Sequence, residues 1–115
     1  MSEESQKLVN LDAVEVYHRG MEYLDYNEPD RAVADFTTVI AVDPKFAHAF
    51  FARGHAYASL GDFDRAIADY SEAIRLNPRL VGAYFNRAMA YRECGESEKA
   101  AADAAKYKEL TEPRE

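Results

Sequence analysis

The chain has 115 residues, 48% hydrophobic and 30% charged, which is typical of one soluble globular domain. Its 14 Lys and Arg face 21 Asp and Glu, and this net charge of -7 argues against nucleic acid or anionic membranes as partners. The single cysteine cannot form an internal disulfide, and the polar, acidic amino terminus lacks a secretory pattern, so we expect a cytoplasmic protein.

The first helix is predicted to begin at Asp12, which forms a capping-box pair with Glu15. Residues 1–11 are therefore expected to be a flexible polar segment. Downstream, apolar residues recur at three- and four-residue steps on both sides of short turns, which predicts pairs of amphipathic helices. The last helix is expected over Glu98–Leu110, and residues 113–115 form a tail.

Tight turns are predicted between the two helices of each pair. Gly61 and Gly95 can adopt the left-handed conformation that ends a helix, and Asn27 is the next best residue for it. Pro29 suits the first turn of the helix that follows. Asp43-Pro44 and Asn77-Pro78 separate one pair from the next.

The sequence repeats with a period of 34 residues, over the ranges 13–46, 47–80 and 81–114. We call a set of equivalent positions in successive repeats a column. Four columns show the period: Tyr23, Tyr57, Tyr91; Arg19, Arg53, Arg87; Ala32, Ala66, Ala100; and Asp35, Asp69, Asp103. Such a period indicates a stacked array of hairpins.

The second repeat carries the fullest signature: Phe50, Gly54, Tyr57, Gly61, Phe63, Ala66, Tyr70, Ala73 and Pro78. This set resembles the tetratricopeptide repeat (TPR) family, in which small residues allow close helix approach and aromatic rings fill the adjacent space. The third repeat departs from it at Ala104 and Tyr107. The resemblance implies an all-α fold, a right-handed α-solenoid of six helices over residues 12–112.

Both ends of the array are expected to be polar. Glu15 and Glu22 occupy columns that hold alanine in later repeats, and Lys108 occupies a column of isoleucine. We therefore expect a complete three-repeat protein, with no separate C-terminal solvating helix. We also expect Asp35 to pair with Arg53, and Asp69 with Arg87, across repeat boundaries.

The resemblance implies that the first helices of the repeats line a concave groove that binds a partner protein or peptide. The predicted groove residues are Tyr17, His18, Met21, Leu24, His48, Phe51, His55, Phe85, Asn86 and Met89. Exposed aromatics and methionines anchor interfaces, although these rings could equally belong to the core.

The best-known ligand mode of the family is a carboxylate clamp, built from lysine, arginine and asparagine. Its columns here hold Tyr17, Met21, Ala52, Gly82 and Asn86, so the cations are missing and a ligand with apolar side chains fits better. The alternative is a self-assembling structural protein that uses the end face of the third repeat or exchanges a hairpin. We expect a monomer rather than a homodimer.

No catalytic, metal or cofactor motif is present, so we expect a protein that is not an enzyme. His48 and His55 lie two helical turns apart, about 10 Å, which is too far to share one zinc ion. Cys94 is predicted to be a small buried hydrophobic residue.

Overall fold

A computed structural model describes residues 3–113 of the chain, with side chains from Asp12 onwards. Within this range the molecule is all-helical and forms three antiparallel hairpins in sequence. The helices are α1 Glu3–Asp25, α2 Pro29–Val42, α3 Ala47–Ser59, α4 Phe63–Leu76, α5 Val81–Glu93 and α6 Ser97–Thr111. The six-helix solenoid predicted from the sequence is confirmed.

The three hairpin turns share one backbone design. Asn27, Gly61 and Gly95 have φ angles of 59°, 78° and 76°, which confirms the predicted left-handed conformation. The residue after each of these three donates its backbone N–H to a tyrosine carbonyl at 2.7–2.9 Å: Glu28 to Tyr23, Asp62 to Tyr57 and Glu96 to Tyr91. The carbonyls at each helix end are thereby satisfied before the next helix begins.

The start of α1 differs from the prediction. The helix begins at Glu3, so Asp12 and Glu15 lie inside it and do not mark its first turn. Residues 3–11 contain neither glycine nor proline and include Glu, Gln, Lys and Leu, which are good helix formers. Nothing in this segment therefore stops the helix from extending beyond the first repeat.

The predicted pairing of the arginine and aspartate columns is wrong. Each arginine pairs with the aspartate of its own hairpin: Arg19 with Asp35, Arg53 with Asp69 and Arg87 with Asp103. The pairs are bidentate, with N–O distances of 2.7–2.8 Å. The physical reason is that the two antiparallel helices of a hairpin bring positions sixteen residues apart face to face.

The arginines do reach across the repeat boundaries, but to hydroxyl groups. Arg53 donates from Nη1 to Oγ1 of Thr37 at 3.2 Å, and Arg87 donates to Oγ of Ser71 at 3.1 Å. The Asp69 hydrogen bond raises the pKa of Arg53, and Asp103 does the same for Arg87. Each of these guanidinium groups thus links three helices.

Alanines mediate the contact between successive hairpins. Ala49, Ala56 and Ala83 are fully buried, and Ala90 is nearly so. At the two ends of the stack, Glu22 in an alanine column and Lys108 in an isoleucine column are exposed, as predicted. The alanine stripe lets neighbouring helices pack closely, which builds one continuous core along the stack.

Candidate functional site

The first helices of the three hairpins lie on the inner side of a curved stack. Cα atoms of α1 and α3, and of α3 and α5, approach within 8 Å. Among the described residues, α2 and α4 do not approach so closely, and neither do α4 and α6. The stack is therefore curved, and α1, α3 and α5 form its concave face.

Four of the most exposed large hydrophobic side chains lie on these three helices. Val14 is 53% exposed, Met21 37%, Phe85 47% and Met89 50%. The other two, Tyr26 and Leu60, lie at hairpin turns. The helices of the concave face thus carry exposed apolar side chains on α1 and α5, which no described element covers.

The predicted aromatic column is only partly available at this face. Tyr17 packs against Phe36 and Phe46, with ring centroids 5.7 and 5.0 Å apart. Phe51 packs against Tyr70 at 5.9 Å. Burial raises the pKa of Tyr17, in keeping with this inward position. Tyr17 and Phe51 therefore contribute mainly to the core, whereas Phe85 remains half exposed.

The remaining predicted groove residues also include both covered and exposed side chains. Leu24 packs against the first core cluster and is largely covered. His18, His48 and His55 are exposed, and Asn86 is half-buried. Among the described residues, no group of three His, Cys, Asp or Glu side chains is arranged to hold a metal ion.

Two cavities open beside these residues. The first, about 660 Å³, lies between α1, the end of α2 and the start of α3. Its lining consists of Ala13, Val14, Tyr17, His18, Val39, Val42, Asp43 and Phe46. Sequence analysis identified Tyr17 and His18 but not Phe46, which precedes α3 and reaches the cavity only through the packing of two hairpins.

The second cavity, about 350 Å³, lies between α3, α4 and α5. Its lining consists of His55, Ala58, Ser59, Phe63, Tyr70, Asn86, Met89, Ala90 and Glu93. Burial raises the pKa of the Tyr70 hydroxyl to about 12, against the opposing effect of a hydrogen bond with Asn86. Phe63 and Tyr70 belong to α4, so sequence analysis of the first helices did not find them.

Cys94 is exposed, and the prediction that it is buried is wrong. It lies at the turn after α5, where the chain leaves the core. Local desolvation and the nearby carboxylates of Asp64, Glu96 and Glu93 raise the pKa of its thiol. A thiol with a raised pKa is a weaker nucleophile at neutral pH, which does not favour a catalytic role.

Among residues 3–113, none of the helices combines the length and apolar character needed to cross a membrane.

Comparison with solved structures supports the fold. The first TPR domain of Spaghetti (RPAP3) bound to the HSP90 peptide SRMEEVD is 27% identical, with a TM-score of 0.84 over 86% of this chain and 79% of that chain. The second TPR domain of the same protein, bound to the same peptide, is 25% identical, with a TM-score of 0.87 over 93% and 98%. MamA is 28% identical, with a TM-score of 0.80 over 85% of this chain and 54% of that chain.

Comparison with sequence families gives the same result. No curated protein sequence matches the chain. A TPR repeat model matches residues 54–95, and a tetratricopeptide repeat model matches residues 81–112. Together the two models span residues 54–112, and the chain belongs to the tetratricopeptide repeat family.

Proposed function

We propose that the chain is a non-enzymatic interaction module that binds a peptide or helix of a partner protein in its concave groove. The observation that supports this most directly is the exposure of four large apolar side chains on the first helices, Val14, Met21, Phe85 and Met89. Exposed apolar surface of this kind marks interaction sites, and methionine adapts to irregular partner surfaces. As a monomer the module leaves this face open to a partner.

The ligand is a segment with apolar side chains, and it is not held by a carboxylate clamp. The two Spaghetti domains carry an HSP90 peptide that ends in Glu-Glu-Val-Asp. In this chain, Tyr17, Met21, Ala52, Gly82 and Asn86 stand in the columns that a clamp requires, so no cation faces a terminal carboxylate there. Such a carboxylate would lose its hydration without a charged partner.

Self-assembly through the end face of the third repeat is less well supported. Tyr107, an aromatic residue of the last helix that a contact between copies could use, packs against Phe85 with ring centroids 5.2 Å apart. Lys108 is exposed at that face and lies 3.6 Å from Glu112. Light scattering during size-exclusion chromatography tests this point, because a concentration-dependent dimer would favour the alternative.

Selection from a library of random peptides tests the groove directly. The wild-type chain should enrich peptides with apolar side chains. The triple variant Met21→Gln, Phe85→Gln and Met89→Gln keeps good helix formers and should bind the selected peptides about tenfold more weakly or worse. The matched control changes Tyr26 and Leu60 to Gln, because these two residues are at least as exposed as the groove residues but lie at the hairpin turns.

Fluorescence anisotropy gives the affinities, and circular dichroism verifies that each variant folds. If the groove variant and the turn variant bind the selected peptides alike, the proposal is refuted. Replacing Tyr17 or Phe51 is less informative, because both rings support the core and their loss would also destabilise the fold.

A further inference from the structure

The second cavity exists because the residue at position 58 is small. In the first repeat the equivalent position is Leu24, whose side chain packs against the cluster of Phe36, Ala52 and Ala56. In the second repeat Ala58 provides only a methyl group, and about 350 Å³ remains open between α3, α4 and α5. This volume lies at the lower end of small-ligand sites, so it suits one side chain of a bound peptide.

The walls of this cavity are mainly apolar, and Glu93 is the one acidic residue among its polar lining residues, which are His55, Ser59, Tyr70, Asn86 and Glu93. Phe63, Ala90 and Met89 supply apolar surface, and Glu93 supplies a carboxylate. No lysine or arginine lies among the described lining residues. Glu93 is exposed and forms no ion pair with any described side chain, so its charge remains free for a ligand.

Further carboxylates surround the same end of α5. The thiol of Cys94, next to Glu93 in the chain, lies 3.9 Å from Oδ1 of Asp64. Asp64, Glu96 and Glu93 all raise the pKa of that thiol by their negative charge. Within the described part of the chain, none of these three carboxylates has an ion-pair partner. These carboxylates add negative charge near the C-terminal end of α5, where Glu93 lines the cavity.

We propose that this cavity binds one arginine or lysine side chain of the partner peptide that occupies the groove. The long apolar stem of such a side chain contacts Phe63 and Met89, and its charged head reaches Glu93. The inference rests on the proposed function, and it specifies the partner as a segment that combines apolar residues with a basic one. This charge is complementary to the net charge of -7 of the chain.

The peptide library of the preceding section supplies the probe. Peptides selected on the wild-type chain should contain an arginine or lysine at a fixed distance from the apolar positions. Two variants test the charge and the volume of the cavity separately. Glu93→Gln removes the charge and keeps the shape, while Ala58→Leu fills the space with the residue that the first repeat uses. Asp25→Asn is the matched control. Asp25 is an exposed carboxylate in the same column as Glu93, but it lies next to Leu24, whose side chain fills the space that Ala58 leaves open.

Binding of one selected peptide is then compared with that of the same peptide carrying alanine at the basic position. Glu93→Gln should weaken binding of the basic peptide about fivefold, the upper end for an exposed charge pair. Ala58→Leu should weaken it by at least about fivefold, as expected for loss of an interface anchor. Neither change should affect the alanine peptide, and Asp25→Asn should affect neither peptide.

The outcomes distinguish this inference from the proposed function. If no peptides are enriched, or if the groove variant binds as well as the wild type, the proposed function fails. If apolar peptides are enriched without a fixed basic residue, the groove stands and the inference is overturned. A basic residue whose contribution survives both Glu93→Gln and Ala58→Leu overturns it as well, because that side chain would then bind elsewhere.

Discussion

Replacing Gly54 with alanine should destabilise the protein by overpacking. A Cβ atom at this position would lie 2.7 Å from Cε1 and 2.8 Å from Cδ1 of Tyr70, and 3.3 Å from the carbonyl oxygen of Ala66. Carbon atoms in ordinary contact are about 3.5–4.0 Å apart, so the ring would have to move by about 1 Å. Tyr70 is 1% exposed and packs against Phe51, so a shift of the ring toward the second cavity, which it lines, would disturb that contact.

The expected cost follows from two opposing effects. Overpacking a core costs about 1–3 kcal/mol, whereas replacing glycine by alanine inside a helix gains about 1 kcal/mol. The free energy of unfolding should therefore fall by about 1 kcal/mol in Gly54→Ala. The third repeat avoids this conflict. It has Ala88 in the column of Gly54, and the column of Tyr70 holds the small residue Ala104.

A double-mutant cycle isolates the clash. Urea unfolding followed by circular dichroism is measured for the wild type, Gly54→Ala, Tyr70→Ala and the double variant. Without the ring, Gly54→Ala should become stabilising by up to about 1 kcal/mol, so the coupling energy should be about 1–3 kcal/mol. If Gly54→Ala changes stability equally with and without the ring, the packing argument is refuted.

Two further predictions concern ionisable groups. Asp69→Asn should lower the free energy of unfolding by about 2 kcal/mol, because it removes a charged partner from Arg53, whose side chain is only 18% exposed. Asp35→Asn should cost less, since water can solvate the 58% exposed side chain of Arg19, and urea unfolding of both variants tests this order. Stability should also fall as the pH rises between about 10 and 12, because an unfolded tyrosine loses its proton near pH 10 and the pKa of Tyr70 is raised to about 12. Urea-unfolding midpoints measured from about pH 10 to 12 should decline less steeply with pH in Tyr70→Phe than in the wild type. An equal slope in both would contradict the attribution of this pH dependence to Tyr70.

Local features of the fold could be read from the sequence with few errors. The left-handed turns at Asn27, Gly61 and Gly95 and the helix start at Pro29 follow from properties of single residues and their neighbours. The start of α1 was missed, because Asp12 offers a capping signal that a continuous run of helix formers overrides. A capping residue permits a helix to begin but does not require it to begin there.

The candidate site was predictable only in part. Periodicity identified α1, α3 and α5 as the source of groove residues, and Met21, Phe85 and Met89 are indeed exposed there. The same periodicity could not separate Phe85 from Phe51, which occupy one column but differ in how much of each ring the neighbouring hairpins cover. Exposure depends on those neighbours: Phe51 closely approaches Gly82 of the following hairpin, whereas the ring that Phe85 meets is Tyr107 of its own hairpin.

The sequence by itself determined the repeat length, the six helices, the turns and the family, because these depend on short-range patterns that recur three times. The tertiary structure alone decided which aspartate each arginine binds, which rings the core absorbs and where a cavity remains. In a periodic sequence each arginine is preceded by the aspartate of the previous repeat and followed by the aspartate of its own repeat. Pairing of Arg53 with Asp35 or with Asp69 therefore agrees with the sequence equally well. Only the distance between packed helices favours Asp69 over Asp35, and only the meeting of three helices shows that Ala58 leaves a space that Leu24 fills.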